Sequence, residues 1–462
     1  MRRAFRTNFI ATLLFFFVLL AYVLSPVSQS ADSFWTVPVM CSMLFAGNTN
    51  LDGYPALLRA KHYDGVECVT ADHRVVTPSR TDGCPSGSHY FYWYPIATPL
   101  LALPLMAGVD LCLRVAGPAA DRLASGHVGP GVHAFFRRDY IAAHLLVEVL
   151  LSSVIVALAT VLLFLTANIY LSLRASLVLS LLFAFATSAW STASRALWQH
   201  GPDMLLISLV LYLLSLAAKR PAILPWTAAP LVLAYFTRPS SSLLVAVIGA
   251  YVFMQHRRYF LRWTLIAAAF ATPLLAYNLY TYHRLVQSYF LLPLFLYPTY
   301  QNLGRIVNGF AGSVISPSRG LFVFTPFLIF SLAGVWLSFR RKWITPLSYH
   351  LAAALVLHWV LLSVYVYWTG GYCYGPRMFA DVLPLFVFFL IPAFLWLRLD
   401  EPRRLCSLAF YACIGFSVFV HMRGALYWAP YEWNAAEPDM QTHAWDWRDP
   451  QFLRGVTGAP QK

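Results

Sequence analysis

The sequence predicts an all-α polytopic membrane protein of about eleven transmembrane helices, with interfacial helices in a long first outer loop. Composition comes first: 59% of the 462 residues are hydrophobic and only 11% are charged, which excludes a soluble globular chain. Long apolar runs recur along the sequence, several of them long enough to cross a bilayer. Basic residues cluster in alternate loops between these runs.

The first apolar run lies near 8–25, behind Arg2, Arg3 and Arg6. It could be a signal peptide, but the many spans that follow favour an uncleaved first helix held from the cytoplasmic side. Further runs lie near 140–167, 175–193, 203–218, 222–237, 240–255, 263–280, 321–338, 344–367, 378–397 and 405–421. The run at 95–115 carries Pro95, Pro99, Pro104, Gly108 and Asp110, a poor composition for a straight buried helix. Loop charge decides its reading. If it does not span, the loops on the N-terminal side hold twelve Lys and Arg and the opposite loops hold six. If it spans, every later loop flips and the basic clusters face outward, against the positive-inside rule. The run therefore reads as an interfacial helix. This gives a first helix at 1–25, an outer loop at 26–139, a transmembrane core at 140–421 and an outer tail at 422–462. The expected location is the cytoplasmic (inner) membrane, with a cytoplasmic N-terminus and the polar loops outside.

A formal charge of +14 would suggest nucleic acid in a soluble protein. Here the cationic residues belong to membrane topology and no basic soluble face remains, so nucleic acid is excluded as a partner. Seven cysteines are present, and Cys68 and Cys84 alone lie in a polar loop. In an oxidising compartment they would close a small hairpin as a disulfide; the alternative is two free thiols. No internal repeat is evident, which weakens a transporter reading.

The candidate chemistry gathers on the predicted outer side. The stretch Trp368–Arg377, WTGGYCYGPR, places two adjacent glycines, aromatic residues including Tyr374, and Arg377 between two apolar runs. Glycine allows a ligand to approach the backbone, and arginine offers a planar fork to a phosphate or carboxylate. Arg319 in ISPSRGLFVFTP and Arg238 in FTRPSS lie beside small residues at span ends. With Arg377 they would form a phosphate site; each singly could instead snorkel to the interface. Asp32, just beyond the first span, is a candidate general base, or a helix N-cap. Asp52 in LDGYP is a weaker candidate because Asp-Gly also marks a turn. His200 and Asp203 in ALWQHGPDM could contact substrate or, with Asp32, bind a divalent ion, or simply start a helix. His144 and Glu148, four apart inside a span, are the best support for a lipid or solute transporter, or pair with each other. The tail residues Trp428, Tyr431, Trp433, Trp445 and Trp447 suit a sugar ring or the interfacial aromatic belt.

Taken together the chain resembles the GT-C superfamily of membrane glycosyltransferases, of the polyprenyl-phosphate-sugar-dependent bacterial mannosyl- and arabinosyltransferase type. The resemblance covers most of the chain. It rests on Asp32 after the first span, YFYWYPIATPLLALP, SRALWQHGPD, SPSRGLFVFTP, WTGGYCYGPRMFADVLP and the closing WNAAEPDMQTHAWDWRDPQFLRG. It implies a glycosyltransferase that moves a sugar from a lipid-linked donor to a glycan, lipid or protein acceptor by a single inverting displacement. Asp32 is implied as catalytic residue, Arg377, Arg319 and Arg238 as ligands of the donor phosphate, and His200, Asp203, Asp52 and Tyr374 as substrate contacts. The family's second acidic residue is matched only by Gln199, His200 and Asp203, so a divalent metal such as magnesium or manganese stays an open cofactor. The alternatives are a transporter or flippase of a lipid-linked or small solute, and a non-catalytic membrane scaffold.

Overall fold

The computed structural model describes residues 2–124, 126, 128–290, 303–343, 346–399, 404–435 and 440–456. The chain is a membrane-embedded, mostly helical protein. Eight helices among the described residues are long and apolar enough to cross a bilayer: Phe5–Val23, Ala97–Leu123, His144–Tyr170, His200–Ala217, Arg257–Tyr282, Leu347–Val364, Arg377–Leu397 and Arg404–Leu426. The expected runs near 175–193, 222–237, 240–255 and 321–338 form shorter apolar helices, Leu173–Phe185, Pro221–Thr237, Pro239–Gln255 and Pro326–Arg340. The 95–115 run lies in one continuous helix, Ala97–Leu123, with Pro104 and Pro118 inside it. Its buried Asp110 is neutralised by Arg114 and Arg138, each at 2.8 Å, and accepts a hydrogen bond from Tyr140 at 2.7 Å.

Helix His144–Tyr170 is the hub. It is apolar all round, the pattern of a helix surrounded by other helices, and packs against Arg2–Val23, Leu173–Phe185 and His200–Ala217. Its hydroxyls, like others in the spans, return to the preceding turn: Thr160 to the Val156 carbonyl, Ser208 to Met204, Ser180 to Ser176. With no water in the hydrocarbon, such internal partners are required. Helices Ile329–Arg340 and Leu383–Leu399 meet at Gly334, where a Cβ would lie 1.7 Å from the Phe389 carbonyl oxygen, so only a small residue fits. Phe5, Phe9, Leu13, Phe16 and Leu20 of the first helix stay exposed, as a lipid-facing surface requires.

The segment between the first helix and helix Ala97–Leu123 holds a three-stranded antiparallel sheet in the order β2-β1-β3, from Val66–Val69, Val75–Val76 and His89–Tyr92. The Cys68–Cys84 disulfide closes it with a Cα–Cα separation of 5.6 Å. The sheet lies on the chain just after helix Arg257–Tyr282. Phe91 packs edge-on to Tyr282, the His73 and His283 rings touch, and Gln287 Nε2 donates to the Tyr92 and Trp93 carbonyls.

Glu67 in β1 is buried in this contact. Burial pushes its carboxyl up to about 7, against hydrogen bonds from Gln287 and Ser288 and the charge of Arg284. A carboxyl raised in the folded state binds more protons there than when unfolded. Its stability is therefore full below the ordinary value and is lost as pH rises toward about 7. Glu67→Gln is expected to raise the thermal midpoint of the detergent-solubilised protein more at about pH 8 than at about pH 5. An equal shift at both pH values would contradict the assignment.

Candidate functional site

Five segments from distant parts of the sequence meet at one end of the helices: the turn after the first helix, Ser194–His200, Arg238, Tyr289 and Arg377. Arg377 Nη2 donates to Asp32 Oδ2 at 2.8 Å across 345 residues of sequence. Arg377 is nearly covered, with its side chain 11% exposed, whereas the Asp32 side chain is 40% exposed. The carboxylate can therefore meet an incoming group while still holding the guanidinium. Asp32 is not an N-cap, since helix Thr36–Cys41 has no side-chain cap. The Arg377 guanidinium also lies 4.6 Å over the Trp198 ring.

The second half of the cluster centres on Arg238, in the extended break between the helix ending at Thr237 and the turn Pro239–Ser241. Its Nη1 donates to His200 Nε2 at 3.0 Å, and its Nε lies 2.8 Å from Asp381 Oδ2. Arginine can only donate, so His200 accepts at Nε2 and gives its Nδ1 proton to Asp381 Oδ1 at 2.6 Å. His200 is thereby a neutral imidazole fixed in one tautomer. Asp203 lies beside it, its Oδ2 accepting from Ser241 at 2.7 Å.

Tyr289 joins the two halves. Its hydroxyl donates to Gln199 Oε1 at 3.2 Å, and its ring packs against Tyr94 at 5.0 Å. Burial pushes the Tyr289 phenol up, and the charges of Arg238, Asp32, Arg377 and Asp381 all act on it. The Tyr94 phenol is likewise pushed up by burial and then by Asp32. Both stay protonated; the Tyr289 proton goes to Gln199, and the Tyr94 hydroxyl is available as a donor.

Three buried N–H donors at this place have no acceptor among the described residues: Arg377 Nε, Gln199 Nε2 and Trp198 Nε1. A buried donor without a partner costs about 1–3 kcal/mol, more on a charged group. Neighbouring donors left in this way form a site for an anionic or oxygen-rich ligand.

Comparison of the chain with family models, with curated proteins and with solved structures returned no match.

The structure thus brings together Asp32, Arg377, Arg238, His200 and Asp203 of the sequence-predicted site and leaves three residues out. Arg319 is engaged elsewhere: its Nη atoms donate to Gln451 Oε1, Asn434 Oδ1 and the Ser318 and Gly371 carbonyls, and it lies over the Trp433 ring. It fastens the tail to the WTGGYCYGPR loop, because a buried guanidinium needs acceptors and the tail supplies them. Tyr374 is fully buried and donates to the Val420 carbonyl at 2.7 Å, a packing role. Asp52 caps the sheet, accepting from the Tyr90 N–H at 2.9 Å and pairing with His89. Asp32 is paired to Arg377, both His200 nitrogens are occupied, and Asp203 is tied to Ser241. His144 and Glu148 do not bond each other. His144 turns to the Ile141 carbonyl and Glu148 reaches the turn around Asp32. The tail aromatics Trp433 and Trp445 are tied to the Asp449 carbonyl and to Asn308.

Sequence reasoning missed Asp381, Tyr289 and Trp198. Asp381 lies in the motif PRMFADVLP, four residues after Arg377, and an acid within an apolar run was the available signal. Tyr289 had no signal beyond its aromatic segment. The loop that presents Arg377 depends on Gly375, whose φ is +61° and whose Cβ would lie 2.7 Å from the Phe324 ring.

Arg319→Ala and Gln451→Ala are each expected to destabilise the protein by roughly 1–3 kcal/mol, since each strands buried partners. The pair should be non-additive, because the two residues share one network. Thermal denaturation of the single and double variants measures this, and strict additivity would contradict a shared network.

Proposed function

We propose that the protein transfers a sugar from a polyprenyl-phosphate-linked donor to an acceptor hydroxyl at the outer face of the cytoplasmic membrane, with inversion. One observation carries the reading: a half-exposed carboxylate paired with a buried arginine, beside buried N–H donors that lack an acceptor.

On this reading the donor phosphate takes the place the free donors leave for an anion. Arg377 Nε, Gln199 Nε2 and the fixed Arg238 face its oxygens. As phosphate oxygens engage Arg377, Asp32 is released from the guanidinium and becomes free to accept a proton. The acceptor hydroxyl oxygen then attacks the anomeric carbon, Asp32 takes its proton, and the bond from that carbon to the phosphate oxygen breaks. The phosphate leaves with the electron pair, and the two arginines stabilise its new charge. Stabilisation of developing charge by fixed donors often supplies most of the rate enhancement in such catalysis. Base and leaving group on opposite faces of the sugar give inversion, as in inverting glycosidases with the acceptor hydroxyl in place of water. Tyr94, protonated and half-buried, would donate to a sugar hydroxyl, and the Tyr289 oxygen would accept from one.

Transfer of labelled sugar by purified protein tests this. Asp32→Asn is expected to lower kcat by roughly 10²–10³-fold with little change in donor affinity, as loss of a general base does. Arg377→Ala is expected to lower kcat by a similar ~10²–10³-fold and also weaken donor binding. Wild-type rates in both variants would falsify the assignment.

A further inference from the structure

Glu148 has no part in the chemistry above, yet it touches both halves of the Asp32–Arg377 pair through their supports. It stands one turn into helix His144–Tyr170 and is buried. Ser30 Oγ donates to its Oε1 at 2.5 Å. Ser33 Oγ donates to its Oε2 at 2.5 Å, and the Leu197 backbone N–H donates to the same oxygen at 3.1 Å. Ser30 and Ser33 bracket Asp32. Leu197 precedes Trp198, the ring beneath Arg377. One carboxylate therefore holds the turn that carries the base and the loop that carries the platform of the cation.

The neighbouring ties stop short of Asp32. Arg195 donates to the carbonyls of Tyr22, Ser25 and Val27, and Gln29 donates to the Ser191 carbonyl through Nε2 and to the Arg195 carbonyl through its backbone N–H. These ties end at Gln29. Beyond it the turn is held to the rest of the protein by Glu148, by Tyr92, whose hydroxyl donates to the Asp32 carbonyl at 2.7 Å, by Arg377 on the Asp32 carboxylate, and by Phe34 and Trp35 against His144 and Asp64. Two hydroxyls and a peptide N–H converge on one side chain, and the two carboxylate oxygens of Glu148 accept all three.

We propose that Glu148 is a positioning residue that sets Asp32 against Arg377 without touching donor or acceptor. The proposal rests on the roles given to that pair above. Small displacements of a base cost rate more than affinity, with a shift of about 1 Å worth up to ~10²-fold.

The test uses full-length protein in detergent, with Glu148→Ala, Glu148→Gln and the double variant Ser30→Ala/Ser33→Ala, which leaves the helix untouched. The readouts are kcat, KM and their pH profile, binding of farnesyl phosphate, and hydrogen–deuterium exchange over residues 29–35. Ser30→Ala/Ser33→Ala is expected to lower kcat by about 10–100-fold while farnesyl phosphate affinity stays within about threefold, because the Arg377 platform keeps its tie through Leu197. Glu148→Ala is expected to lose at least as much rate and to speed exchange over 29–35. Glu148→Gln can keep the Ser33 and Leu197 bonds and turn its amide to the Ser30 hydroxyl, so it should stay within about threefold of wild type with the same acid limb. Wild-type kcat and exchange in both Glu148→Ala and the double serine variant would overturn the proposal. So would a Glu148→Gln enzyme as inactive as Asp32→Asn, since Glu148 would then be the base itself. If wild-type protein neither transfers sugar nor binds farnesyl phosphate, the transferase reading fails instead. Exchange over 29–35 then decides the clamp alone: faster exchange in Glu148→Ala supports it and unchanged exchange overturns it.

Discussion

The ion pair between Asp32 and Arg377 is the constraint around which the polar end of this molecule is arranged. A guanidinium almost removed from water is tolerable only with a counter-charge and a surface to lie on. Asp32 supplies the first from beyond the first helix, and Trp198 supplies the second from the loop before His200–Ala217. Three distant stretches of chain must therefore meet for one arginine to be accommodated. The ring of the pair is only half closed, because Asp32 keeps much of its surface and Arg377 keeps an unbonded Nε. A purely structural ion pair gains by satisfying every donor. This one leaves donors open at the place where the carboxylate is most accessible, which is the pattern of a site that expects a ligand.

The other buried arginines show the contrast. Arg195 is fully buried and directs its guanidinium to the last carbonyls of the first helix and the turn after it, which end without partners inside the helix. Burial pushes its guanidinium down to about 9, a sign of how little counter-charge surrounds it. Arg319 does the same for the tail through neutral oxygens of Gln451, Asn434 and two carbonyls, and although its Nε is also unbonded, no carboxylate of the described residues stands beside it. Arginine on neutral acceptors binds the fold together. Arginine on a carboxylate, beside free donors, is set up to exchange one anion for another.

The membrane class, the mostly helical fold and the hairpin disulfide could be read from the sequence because each rests on a local property. Hydropathy marks the apolar helices, and two cysteines in one polar loop mark the disulfide. The convergence of Asp32, Arg238, His200 and Arg377 was legible through alternation: loops on the same side of successive spans must share a surface. Assigning roles among same-side arginines was not, because Arg319 and Arg377 sit in similar Gly- and Pro-flanked contexts. What separates them is which distant acceptor arrives, Gln451 for one and Asp32 for the other. The partner of Glu148 escaped for a related reason. Helical spacing pointed to His144 on the same face, but the tertiary fold offered three donors from two other segments. The prolines at 95–115 left its course open, and Pro104 is carried within an unbroken helix, Ala97–Leu123.

Charge balance explains why the cluster has two arginines rather than one. Asp32 and Asp381 face Arg377 and Arg238, a pairing that is neutral as it stands. Asp381 is fully buried and bound to both His200 and Arg238, so it has no freedom to leave. Asp32, on a turn and partly exposed, does. An anion entering the cluster therefore competes with Asp32 for Arg377 and not with Asp381 for Arg238. The fixed pair keeps Arg238 and His200 in place whatever occupies the site, while the mobile pair responds to occupancy. On the proposed reading this division of labour couples donor arrival to release of the base, so that Asp32 becomes available for a proton only when a phosphate is present to act as leaving group.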